Sequence, residues 1–185
     1  MSLSCHPETP SSAVKRIEVE VARSGPGSLM LRYGLFGDMA GVRFPEPVEA
    51  EQAGRADGLW RHTCFEAFIR TTEVEGYLEL NFAPWHQWAT YRFSGYRADM
   101  AAASVEPWSM HGGKHPDHMD MEILVDPGTL GRPDLPIPLW QIGLSAVIED
   151  IDGGISYWAL AHAPGKPDFH HPDSFVLTLP PPEPV

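Results

Sequence analysis

The chain has 185 residues, 43% of them hydrophobic and 21% charged, a composition that supports one packed core and argues against intrinsic disorder. Lys and Arg number 13 against 25 Asp and Glu, a formal charge of −12, which speaks against nucleic-acid binding, since a phosphate-binding surface needs clustered cations. Two cysteines cannot build a disulfide framework.

The 17 glycines and 19 prolines make up about 19% of the chain against ~12% in average usage. That excess favours many turns and short strands over long helices. Residues 1–12 are polar and carry Pro7 and Pro10, so they predict a flexible N-terminal segment with no signal peptide. No apolar run is long enough for a membrane helix, and the expected setting is cytoplasmic, away from membranes. Residues 180–185 contain four prolines and read as a loose tail. Between them, residues 13–179 are expected to form a single domain.

Taken in chain order, one segment after another alternates with period two, the mark of a strand with one buried face. Ile17, Val19 and Val21 alternate with Glu18 and Glu20, and Leu29, Leu31, Tyr33 and Leu35 follow. From residue 60 to 97 the pattern is richest. Phe65, Ala67 and Ile69 share one face of a strand, with Cys64, Glu66, Phe68 and Arg70 on the other. Leu78, Leu80 and Phe82 then alternate with Tyr77, Glu79 and Asn81. A hairpin about Glu73 and Val74 sets Glu66 opposite Asn81 and Phe68 opposite Glu79, with the purely apolar positions on one side. Continuing that parity, Ala89, Tyr91 and Phe93 are expected on the core side, and Trp88, Thr90 and Arg92 beside Glu66 and Glu79. Strand patterns return at Met119 to Val125, Trp140 to Ile148, Ile155 to His162 and Ser174 to Leu179. About nine one-sided strands and no convincing amphipathic helix predict an all-β fold, an antiparallel two-sheet β-sandwich.

The face carrying Glu66, Glu79, Asn81, Trp88 and Arg92, with Trp60 at its entrance, has two readings. It is either a solvated sheet face, as antiparallel sheets often have, or a ligand face. Flat aromatic rings beside carboxylate, amide and guanidinium groups suit neutral sugars, which offer C–H faces and hydroxyls.

The run Trp60-Arg61-His62-Thr63-Cys64-Phe65-Glu66-Ala67-Phe68-Ile69 resembles the tryptophan-to-glutamate strand motif of family 9 carbohydrate-binding modules and DOMON-like domains. The run Pro167-Asp168-Phe169-His170-His171-Pro172-Asp173-Ser174-Phe175 resembles the loop before their last strand. The resemblance covers roughly residues 17–179, and the whole set looks like a bacterial DOMON-like group. It implies a non-catalytic sandwich that binds a small carbohydrate or polyol. Trp60 and Phe169 would then be the clamping aromatics, with Glu66, Asn81 and His170 hydrogen-bonding hydroxyls. Two positions depart from the pattern: Glu79 stands where binding members have an arginine, and Thr63 where they have an acidic residue. Other relatives of the fold bind haem, but no motif here fixes an axial pair, so no cofactor is assigned.

Three further clusters have structural explanations as well as chemical ones. Glu66 and Glu79, diagonal neighbours ~7–8 Å apart at the backbone, could serve a glycoside-active enzyme. His111, His115 and His118, with Asp117 and Asp120, have spacings that can hold Zn²⁺ or Ni²⁺. Their neighbours Gly112, Gly113 and Pro116 predict a mobile solvated loop, so no metal ligands are assigned. Asp150 and Asp152, beside Gly153 and Gly154, fit a turn better than a Ca²⁺ site. The sequence leaves the oligomeric state open.

Overall fold

Alternation translates directly into strands. The computed structural model describes residues 1–23, 25–46, 53–128, 130 and 137–182; residues 183–185 of the expected tail lie outside them. The strands are β1 (Ser2–Cys5), β2 (Val14–Arg23), β3 (Leu29–Gly37), β4 (Gly54–Arg55), β5 (Cys64–Thr71), β6 (Tyr77–Ala83) and β7 (Gln87–Phe93). They continue with β8 (Ala101–Ala102), β9 (Pro107–Lys114), β10 (His118–Val125), β11 (Trp140–Glu149), β12 (Ile155–Ala159) and β13 (Leu177–Leu179). Among the described residues the helical elements are short 3₁₀ turns, Leu59–Arg61 and Pro172–Ser174.

The fold is all-β, as expected, but hydrogen bonds run unbroken through β4-β7-β6-β5-β11-β12-β1-β2-β3-β10-β9. The strands form one curled, mixed sheet, with β4 parallel to β7 and the other pairings antiparallel. The joint is β1, which pairs β12 on one side and β2 on the other. Residues 1–12 are therefore not a free segment. Leu3 and His6 are buried, and the Asp150 carboxylate accepts hydrogen bonds from the Ser11 hydroxyl and from the Ser12 hydroxyl and N–H, at 2.9–3.0 Å. The local sequence looks polar because these polar groups meet a buried partner 138 residues away, which periodicity does not report. Asp150 thus anchors the N-terminal segment, whereas Gly153 at φ 90° makes the turn itself. Asp150→Ala is expected to cost about 2–3 kcal/mol and to make the segment before Ser12 cleavable, as limited proteolysis would show.

The curl brings two apolar faces together. Ile17, Val19, Leu31, Tyr33, Met121 and Ile123 of one half meet Phe65, Ile69, Leu80, Phe82, Trp140 and Leu144 of the other in one core. Tyr33 spans the seam: its ring centroid lies 4.8 Å from that of Phe65, and its hydroxyl donates to the Glu66 carbonyl at 2.8 Å. This is why β5 is held firmly enough to carry a site on its other face.

Candidate binding pocket

The β5–β6 register is the one read from the sequence: Glu66 faces Asn81, and Phe68 faces Glu79. On its other flank β5 meets β11, setting Ser145 opposite Glu66, Gly143 opposite Phe68 and Val147 opposite Cys64. Directly opposed residues share a face, so Glu66, Phe68, Glu79, Asn81, Ser145 and Val147 all point away from the core. Tyr157 of β12 joins them opposite Val147.

The next register corrects an expectation. In β7, Tyr91 lies opposite Glu79 and Ala89 opposite Asn81, while Arg92 pairs Leu78 and Trp88 pairs Phe82. Trp88 and Arg92 therefore sit on the opposite side of the sheet from Glu66 and do not contribute to this face. Trp88 packs instead against the main core, and Thr90, buried beside it, donates to the Ala103 and Val105 carbonyls. The reversal arises because Ala89, Tyr91 and Phe93 form an apolar cluster of their own with Leu59, Trp60 and Tyr77. Trp88 and Thr90 on one face and Ala89, Tyr91 and Phe93 on the other are all at least partly buried, so polarity does not reveal which face meets the core.

Nor is the Glu66 face solvated. Glu66 is 2% exposed, Glu79 4% and Asn81 fully buried. The cover is the segment 162–175, which lays Phe169 and Phe175 onto Phe68, Val147 and Ala159. Its approach depends on Gly143: a Cβ there would lie 2.9 Å from the Ser174 carbonyl oxygen. Between sheet and cover lies a pocket of about 550 Å³.

Trp60, Glu66, Glu79, Phe169 and His170, all singled out from the sequence, line this pocket together. Asn81 supports it from beneath, donating to Glu79 Oε1 at 2.6 Å. Trp60 stands on the 3₁₀ turn Leu59–Arg61, half-buried, with its ring edge-on to Tyr91 at 5.6 Å. Phe169 contributes a wall more than a free stacking platform, since only 9% of it is exposed. Arg97, Met100, Tyr157 and Lys166 also line the pocket and were missed. They belong to loops or to a strand whose facing depends on tertiary packing, and alternation carries no signal for that. Arg97 adopts φ 52° and binds Asp168 through Nη2 at 2.7 Å. Thr63 is structural: its hydroxyl donates to the Arg43 carbonyl and accepts from the Glu149 N–H.

Burial, helped by the neighbouring Glu79 charge, pushes the Glu66 carboxyl well above the ordinary carboxylate range. Burial also raises Glu79, while Asn81 and Arg97 pull it back. Glu66 is thus the more strongly raised of the two carboxyls. His170 moves the other way: burial first, then the Arg97 charge, lowers it to about 4, so its imidazole is neutral at pH 7. The Tyr77 hydroxyl accepts from the Arg97 N–H at 3.2 Å and lies 2.7 Å from His170 Nδ1. With that hydroxyl donating to Nδ1, the ring proton sits on Nε2, which faces Glu79 Oε2 at 3.8 Å. The pocket therefore offers two buried carboxyl groups and a neutral imidazole against aromatic walls, with Lys166 and the Asp168-paired Arg97 as its cations.

No known protein-family profile matches the chain, and no curated protein matches it significantly in sequence. Among solved structures, a protein of Bacteroides uniformis provisionally named as carbohydrate-binding aligns with TM-score 0.63 at 14% identity, over 92% of this chain and 80% of that one. A family 9 carbohydrate-binding module of Caldicellulosiruptor kristjanssonii, solved in complex with glucose, aligns with TM-score 0.45 at 9% identity, over 85% and 71%. The chain shares its all-β fold with the first of these.

Proposed function

We propose that this chain binds a small neutral carbohydrate or related polyol in the pocket between Trp60 and Phe169, without chemical turnover. The observation that carries the reading is the pairing of aromatic walls with buried hydroxyl-reading groups in a space of about 550 Å³, a volume in the range of small-molecule sites. Sugar C–H faces would pack on Trp60, while the Glu66 and Glu79 carboxyl groups hydrogen-bond ring hydroxyls. The fold shared with the Bacteroides uniformis protein supports this reading. In the same proposal the curled sheet is a variant of the two-sheet sandwich of family 9 modules and DOMON-like domains. Its setting is the cytoplasm, apart from membranes and nucleic acid. Among the described residues no helix is long and apolar enough to cross a membrane.

Tryptophan fluorescence titrated with a panel of mono- and disaccharides tests the reading, with saturable quenching or a blue shift expected for one sugar class. Trp60→Ala is expected to weaken that binding about 10- to 30-fold, in the range of aromatic anchors, with the folded circular-dichroism spectrum retained. Equal affinity in the variant would remove Trp60 from the site, and a flat response across the panel would reject sugar binding. A second reading draws on Glu66, raised well above the ordinary carboxylate range, beside the less raised Glu79, a pairing that suits an acid and base for glycoside hydrolysis. Turnover of aryl glycosides by the wild type, lost in Glu66→Gln, would establish it in place of simple binding.

A further inference from the structure

The hairpin β9–β10 lies at the far end of the sheet order from β5–β7. It is a paired hairpin and not the expected mobile loop: β9 includes His111 and runs to Lys114, and β10 opens at His118. His115 and His118 bracket the two-residue turn Pro116-Asp117, which the His115 N–H closes by donating to the His118 carbonyl at 2.8 Å. Across that turn the two imidazoles stack, with centroids 4.3 Å apart and planes within 15°. Asp120 lies two residues along β10 from His118 and so on the same strand face.

The donor atoms converge. One ligand atom from each of His115, His118 and Asp120 lies within 4.8 Å of the others. His115 Nε2 and Asp120 Oδ1 meet over Gly113, where a Cβ would lie 3.6 and 3.3 Å from them, so no side chain occupies the space between. His118 Nδ1 is 2.9 Å from Asp117 Oδ1. A carboxylate on that nitrogen favours the Nδ1–H tautomer, which leaves the Nε2 lone pair free to ligate, as outer carboxylates do at metal-bound histidines.

We propose that His115, His118 and Asp120 bind a divalent transition-metal ion of the zinc type, with water completing the coordination. Two imidazoles and one carboxylate select such borderline ions over Mg²⁺ and Ca²⁺, which take oxygen sets. Tetrahedral Zn²⁺ with bonds of ~2.0–2.1 Å holds its donors about 3.3 Å apart, a spacing these side chains, all at least partly exposed, reach by small rotations. Bound there, the ion would clip β9, a terminal strand of the sheet, to β10.

Isothermal titration of the full chain with ZnCl₂ in a non-chelating buffer tests this. One saturable site is expected in the wild type, with no comparable heat from MgCl₂ or CaCl₂. That site is expected to disappear in His115→Ala/His118→Ala, whose fold a circular-dichroism melt would verify. Backbone amide shifts on Zn²⁺ addition should concentrate at residues 113–120. Undiminished Zn²⁺ binding by the double variant, or none by the wild type, would overturn the proposal.

Discussion

Phe68→Ala is expected to cost about 3–5 kcal/mol of stability, as buried Phe deletions do, and to lower Tm by about 6–20 °C for a chain of this size. Phe68 is 1% exposed and is the common neighbour of Tyr77, Phe169, His170 and Phe175, with ring centroids 5.0–6.4 Å apart. Its removal leaves a cavity beneath the segment 162–175, whose attachment to the sheet rests on these rings. The proposed sugar binding should therefore fail well below the melting temperature, because Phe169 and His170 would no longer be held over the pocket. Phe68→Leu keeps most of the volume and should cost less than about 1.5 kcal/mol. Urea denaturation of both variants, with fluorescence titration of each, would check the ordering. A loss below about 1 kcal/mol in Phe68→Ala would mean that the cover is held elsewhere.

Glu66→Gln is expected to stabilise the protein at pH 8 and to leave it nearly unchanged at pH 4. The folded pKa of Glu66 is raised by burial and by Glu79, opposite to the usual behaviour of a carboxylate in a salt bridge. Above the unfolded pKa of about 4.3, the native state keeps a proton that the unfolded chain releases. Stability is therefore fully present below that pH and is lost as pH climbs through the folded pKa; glutamine has no proton to lose. His170 acts in the other sense. Its folded pKa of about 4 lies below the unfolded ~6.5, so its stabilisation is present above 6.5 and lost as pH falls through 4. In the wild type the two slopes oppose each other between pH ~4.3 and ~6.5, and only the carboxylate slope remains above. Denaturation at pH 4, 6 and 8 separates them. A wild type that gains stability from pH 6 to 8 and exceeds Glu66→Gln at pH 8 would show Glu66 to be ionised and satisfied.

The β5–β6 hairpin was legible because Phe65, Ala67 and Ile69 and Leu78, Leu80 and Phe82 are apolar on one side only. One parity then satisfies both strands, and Glu66 falls opposite Asn81. The step to β7 was not legible for two physical reasons. The connection Pro84-Trp85-His86 carries positive φ at Trp85 and His86, 68° and 71°, with no glycine to mark it. Beyond it, Tyr91 and Phe93 look like core residues but lie under Trp60 and Tyr77, which turns Trp88 and Arg92 to the other side. The pocket floor was thus readable from strand alternation. Its rim was not, because Arg97, Met100 and Lys166 arrive on loops whose course is set by contacts such as Arg97 to Asp168, 71 residues apart.

The joint made by β1 sets the order in which the sheet can be completed. Ser4 pairs Ala159, and Cys64 of β5 waits for Val147 of β11, so the central ladders close loops of roughly 70 to 155 residues. Pairings this distant in sequence make folding slow. During synthesis, β2–β3 and β5–β6–β7 can pair locally while the apolar edge of β5 stays open until β11 emerges. The nascent chain therefore passes through a stage in which an unpaired hydrophobic strand is presented to its surroundings. That interval, more than the finished fold, is where aggregation of this protein would begin.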